Sequence, residues 1–241
     1  MSLIVTRHLA KAYPSGRGAS RAAVADATFE VGANEILAVM GPNGAGKTTL
    51  VDLLATVLAP TSGSLQVVDL DAVSDPQRVR RHVGYVPSGS RSLYGRLTGR
   101  QNLRFFAALH GICGNAAAAR VDAALTLWGA WPVAEVRADR MSDGMACRVA
   151  LARAVLHDPL VLLLDESTRS IDPMSRPEVL QAIRRYVDRS GKCAVLVTHD
   201  VSDVHEICDR VAMMRDGAIE RIVPADSLPR DGRVAAGVKG R

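Results

Sequence analysis

The chain of 241 residues is poor in aromatic side chains: they make up 4% of it, against 48% hydrophobic residues in all. Its core must therefore be mostly aliphatic. No window approaches the run of about 18 uninterrupted apolar residues that a membrane-spanning helix needs. Any role at a membrane thus calls for partners that span it. Cys113, Cys147, Cys193 and Cys208 form no C-x-x-C pair, and the apolar opening SLIV is too short for a secretory h-region. Reduced, cytosolic thiols are expected. The formal net charge of +5 is mild and scattered rather than clustered, which reads as a solvated basic surface more than a nucleic-acid face. No internal repeat and no heptad region is visible. The length suits one large domain with a sub-domain and is ample for a buried core.

What is present begins with strands. ATFEVGANEILAVM carries apolar runs either side of Gly32, Ala33 and Asn34, a hairpin-like turn signal. After Lys47, the residues Leu50, Leu53, Leu54, Val57 and Leu58 follow helical spacing. From Thr98 the character turns helical. Thr98 and Gln101 fit a capping box, and Val121, Leu125 and Trp128 share a helix face. The span from about 95 to 140 is a candidate helical sub-domain. A third helix is expected from Ser142 to His157, with Met145, Val149, Ala152 and Leu156 on one face. LVLLL and CAVLV are apolar without alternation, as in parallel strands buried on both faces. RVAMMRDGAIERI closes as a hairpin at Asp216 and Gly217. The folded domain is expected over 1–224, with a loose tail over 225–241.

GPNGAGKTT, residues 41–49, matches G-x-x-x-x-G-K-[ST] between an apolar strand and an amphipathic helix. Gly41, Pro42, Asn43, Gly44, Ala45 and Gly46 can curl their N–H groups around a triphosphate, because glycine permits the required backbone angles. The helix that follows adds its positive end. Lys47 sets a cation on the outer phosphates, the Thr48 hydroxyl can ligate Mg²⁺, and Thr49 completes the ATP-binding stretch. The apolar strand ending in Asp165 and Glu166 supplies the complement. Asp165 can hold the Mg²⁺ shell, and Glu166 can polarise an attacking water.

With further motifs in order, the chain resembles the nucleotide-binding domain of ABC transporters from about residue 3 to 223. Tyr13 in KAYPSG matches the aromatic that stacks on adenine. MSDGM stands at the signature position, RSID matches the loop that meets the partner across a dimer, and VTHD places His199 at the switch histidine. SLYGRLTGRQNLRFFAALHG carries the resemblance to the drug- and polymer-exporter branch. The resemblance implies an α/β fold: a phosphate-loop NTPase core with a mostly parallel sheet, an antiparallel β sub-domain and a helical sub-domain carrying the signature. It implies ATP and Mg²⁺ as cofactors, with Glu166, His199 and Lys47 catalytic and Mg²⁺ held by Thr48 and Asp165. It also implies a head-to-tail dimer, a homodimer by expectation. Ser142 and Gly144 of one copy would then face the ATP of the other, and Ser170 and Asp172 would line the contact. A separate membrane-spanning permease subunit would complete an exporter, leaving this chain cytoplasmic and peripheral on the inner face of the membrane. Arg104 faces the permease on this reading; Phe105 and Phe106 suit either that surface or the helix core.

Four positions depart from the family pattern. Ser88 stands where a glutamine usually follows GYVP, and its shorter side chain needs a bridging water to reach the metal. Asp143 and Met145 replace Gly and Gln of the signature. Ser167 replaces the proline that commonly follows the catalytic glutamate. These departures keep open a weakly or non-hydrolytic regulatory subunit. A soluble nucleic-acid-associated ABC ATPase is the other alternative; the single motif set and the missing coiled-coil region weigh against it, and no nucleic acid is expected as a partner.

Overall fold

A computed structural model describes residues 1–15, 19–88, 92–189 and 191–229. Ten strands form one continuous sheet in the order β5-β4-β1-β2-β10-β9-β3-β8-β7-β6. At one end β1 (Ser2–Ser15) pairs antiparallel with β2 (Ala19–Gly32) and β4 (Ser62–Val67), and β4 turns back into the short β5 (Leu70–Asp71). The other half is parallel: β3 (Glu35–Met40), β6 (Val83–Val86), β7 (Val161–Asp165), β8 (Cys193–Val197) and β9 (Arg210–Arg215). β10 (Ala218–Pro224) returns antiparallel on β9 and touches β2 at a single parallel pair, Ala218 with Asp26. The expected hairpin is present here, with Asp216 at φ 48° and Gly217 at φ 82°, both in the left-handed region that a two-residue type I′ turn requires.

The hairpin-like signal at Ala33 and Asn34 has a different outcome. The chain does turn there, but β2 and β3 are not ladder partners, because β10 and β9 lie between them. The burial patterns give the reason. β3 is buried at all positions from Ile36 to Met40, and such a strand belongs inside a sheet covered on both faces. In β2, by contrast, Ala27, Phe29 and Val31 are buried while their neighbours are exposed, which suits a sheet with one wet face.

Alternation along the parallel strands divides the core in two. Leu162, Leu164, Ala194, Leu196 and Ile36 face one layer of helices. Val161, Leu163, Val195, Val197 and Leu37 face α1 (Lys47–Leu54) and the antiparallel strands. The first layer holds α5 (Asp143–Ala154) and α6 (Arg176–Asp188), with α3 (Gly99–Leu109) and α4 (Gly114–Leu127) beyond them; the short α2 (Pro76–Arg80) and α7 (Val201–Ile207) complete the helices. The Thr98 capping box forms with both of its hydrogen bonds. Val121, Leu125 and Trp128 are buried together as their spacing predicts. Gly99 N–H donates to Val136 O at 3.0 Å and Arg100 N–H to Ala134 O at 2.8 Å, which joins the two ends of the helical segment.

Of the loose tail expected over 225–241, residues 225–229 are described. Ala225 and Leu228 are buried beside Val201, Val204 and Val211, because these two apolar side chains can pack between α7 and β9. Residues 230–241 lie outside the described residues.

Candidate functional site

Leaving β3, the chain runs through the loop from Gly41 to Gly46 and enters α1 at Lys47. Close approach to two strands dictates the glycines. A Cβ on Gly41 would sit 2.0 Å from the Met214 carbonyl oxygen, and one on Gly46 would sit 2.1 Å from that of Ala23. Gly46 also has φ 100°, a backbone state that disfavours any side chain. Gly217 N–H donates to Ala45 O at 3.0 Å, fixing the loop from the β9–β10 turn. Lys47 is buried, and its Nζ donates to Gly41 O at 2.8 Å and Pro42 O at 2.9 Å. Burial lowers its pKa, against an opposing pull from Glu166 and Asp165.

The loop forms the floor of a cleft of about 500 Å³. Asn43, Gly44, Lys47, Thr48 and Thr49 line it together with Glu166, and Tyr13 and Arg21 of β1 and β2 line it too. Tyr13 is 41% exposed, with Lys11 Nζ 5.5 Å from its ring centre.

Asp165 closes β7 and is buried, with neither carboxylate oxygen making a hydrogen bond among the described residues. Burial raises its pKa, while the nearby hydroxyls of Thr48 and Ser88 pull it down. Ser88, the departure from the family's glutamine, thus faces Asp165. A buried carboxylate approached by a threonine hydroxyl is a hard-oxygen pair suited to Mg²⁺. Glu166 has φ 47°, a strained value for a glutamate. Its N–H donates to Val197 O at 3.1 Å, so β8 holds it at the cleft. His199 Nε2 lies 2.8 Å from Glu166 Oε1, and Arg169 lies 3.4 Å from Oε2.

The signature residues lie elsewhere. Ser142 is the N-cap of α5, and its Oγ accepts from Met145 N–H at 3.3 Å. A Cβ on Gly144 would approach Ser170 O to 3.3 Å. Neither Ser142 nor Gly144 lines the phosphate cleft, and neither do Ser170 and Asp172. Asp172 accepts from Ser175 N–H at 3.0 Å, which holds its carboxyl below the usual range. Cys147 Sγ donates to Ser167 O at 2.8 Å and ties α5 to the turn after Glu166. The two phenylalanines differ in burial. Phe106 packs on the core and under the Arg153 guanidinium at 4.9 Å, whereas Phe105 is 39% exposed and meets Tyr94 edge-on at 4.9 Å.

Motif reading missed two residues of the site, Arg21 and Arg169. Arg169 was within reach, since it lies one turn after Glu166. Arg21 belongs to no motif, and only the pairing of β1 with β2 brings it beside Tyr13.

The comparisons agree with this geometry. The family described as ABC transporter matches residues 24–169. The probable multidrug ABC transporter ATP-binding protein YbhF of Escherichia coli is 35% identical over 82% of this chain, which spans 34% of that protein. The chain thus spans about a third of YbhF. The ABC transporter ATP-binding protein NatA of Bacillus subtilis is 31% identical over 82% of this chain and 80% of its own length. Among solved structures, the dimeric ATP-binding cassette MJ0796, in a post-hydrolysis state bound to ADP and Pi, superposes with a TM-score of 0.85. It is 23% identical and covers 92% of this chain and 98% of its own, a likeness of fold. A phosphate loop, an acid pair and a histidine on the parallel half of one sheet, together with these relatives, establish that the chain belongs to the ABC transporter family.

Proposed function

We propose that the chain is the ATP-binding and ATP-hydrolysing subunit of an ABC exporter. One observation carries the reading. Glu166, held by β8 and His199, stands in the same cleft as Lys47 and Thr48, with the orphaned Asp165 carboxylate behind it. The loop N–H groups and the α1 N-terminus would cradle the phosphates, and Lys47 would neutralise the outer ones. Thr48 and Asp165 would hold Mg²⁺, which would supply positive charge to offset the charge that develops on the phosphates. Among the described residues no three His, Cys, Asp or Glu are grouped to hold a metal alone, so phosphate and water would complete the shell. Glu166 would accept a proton from the attacking water. His199 orients that carboxylate and can contact the γ-phosphate. Tyr13 would stack on the base.

Ser142 and Gly144 do not line their own chain's cleft, which supports their serving a second copy, with Ser170 and Asp172 at the contact. Tyr94, Phe105 and Leu109, at 52%, 39% and 65% exposure, offer an apolar face to a membrane-spanning subunit. Among the described residues no helix is long and apolar enough to cross a membrane. The chain would therefore sit on the cytoplasmic face through that partner. YbhF, described as a multidrug transporter protein, supports export.

The Glu166→Gln variant tests this. It should bind MgATP, hydrolyse it at least ~100-fold more slowly, and elute as a dimer when ATP is present. Lys47→Ala should lose nucleotide binding. A Glu166→Gln chain hydrolysing at the parent rate would overturn the assignment.

A further inference from the structure

Among the described residues that line the cleft, Arg21 is a cation with no part in the phosphate chemistry. It lies directly opposite Tyr13 in the β1–β2 ladder, so the two side chains leave the sheet on the same face. Both line the cleft with the phosphate loop. Lys11, two residues before Tyr13, is already engaged, donating to Ala59 O at 2.7 Å. Arg21 is exposed and has no hydrogen-bond or ion-pair partner among the described residues. Its lining neighbours on β2, Ala22 and Ala23, carry no polar side-chain group.

The chemistry of this end is therefore one-sided. Tyr13 offers a stacking face, which accepts any base. Arg21 offers N–H donors and no acceptor. Guanine presents two adjacent acceptors, N7 and O6, which a guanidinium can take together. Adenine presents one acceptor beside an amino donor, which arginine cannot satisfy.

We propose that Arg21 contacts the base of the bound nucleotide through its acceptor edge, so that the site takes guanosine triphosphate as well as adenosine triphosphate. This rests on the phosphate-loop cleft being the nucleotide site.

Calorimetric titration of the full chain with MgATP and MgGTP tests it, using the parent, Arg21→Ala, Arg21→Gln and Lys47→Ala. The parent should bind GTP within about tenfold of ATP. Arg21→Ala should weaken GTP by about tenfold and ATP by clearly less, since one bidentate base contact is at stake. Arg21→Gln, which carries both a donor and an acceptor, should shift the preference toward ATP. Parent GTP affinity a hundredfold below ATP overturns the proposal. So does an Arg21→Ala chain that loses nothing, or loses equally for both; equal loss would place the guanidinium on ribose or phosphate. Failure of the underlying reading looks different: the parent would bind neither nucleotide, or Lys47→Ala would bind both as tightly as the parent. Circular dichroism checks the fold, which an exposed strand residue should not disturb.

Discussion

His157, just beyond α5, stacks on His110 with ring centres 3.9 Å apart and planes 7° from parallel. Its Nε2–H donates to Val83 O at 3.1 Å, and its Nδ1 is buried without a partner. Burial, then the neighbouring His110 and His82, push the His157 pKa down from 6.5 to about 4, against a smaller upward pull from the Val83 carbonyl and Asp158. Burial also lowers His110. The unfolded chain takes up a proton that the folded chain refuses. The contribution of His157 to stability is thus complete above about pH 6.5 and is lost as pH falls toward 4. The loss should be on the order of 2 kcal/mol. Urea titrations at pH 7.5 and pH 5 should show it, and His157→Gln should shrink the pH dependence; an equal dependence in both chains would remove His157 as its source. At this scale the sequence spoke unevenly. Lys47, Asp165 and Glu166 were legible because their chemistry demands fixed spacing along the chain. Arg21 and the His110–His157 stack were not, because each depends on which strand or helix lies alongside.

α5 joins more than its two ends suggest. Ser142 caps its start, Cys147 holds the turn after Glu166, and Arg153 near its end reaches three other segments. The Arg153 guanidinium donates to Tyr85 O at 3.0 Å and Ser92 O at 2.6 Å and lies over Phe106 of α3. Burial lowers its pKa, and no carboxylate pairs with it among the described residues. Its role is to bind carbonyls on both sides of Ser88 to the helical layer. Arg153→Met keeps the packing volume but leaves two carbonyls unsatisfied. It should cost about 1–3 kcal/mol and loosen β6 from α3, read as faster hydrogen exchange across 83–86. Unchanged exchange would show that β6 and α3 are held by other contacts. The elements themselves were largely readable. The Thr98 capping box and the Asp216-Gly217 turn are local signals and formed as expected. The turn at Asn34 was also local, but the fate of β2 and β3 was not, since turn chemistry is silent on which strands later insert between them.

Across the whole molecule, Ser142 and Gly144 lie outside the cleft that Lys47, Thr48 and Glu166 line, as the head-to-tail pairing proposed above requires. This predicts complementation. A Lys47→Ala chain and a Gly144→Arg chain should each be inactive alone. Mixed, they should recover up to about half of the activity per mixed dimer, because one of the two composite sites is then intact. Steady-state ATPase assays over a titration of one chain into the other measure it; a mixture as inactive as its components would show that the sites do not pair between chains. The sequence by itself determined the phosphate cradle, the acid pair, the buried parallel strands and the family, because each is written in residues that are neighbours along the chain or follow a short period. The tertiary structure decided what stands beside what: β9 and β10 between β2 and β3, Ser88 facing Asp165, Arg21 beside Tyr13, and Ser142 outside its own cleft. Those placements follow from burying two faces of one sheet at once, a condition met by the whole chain and by no segment of it.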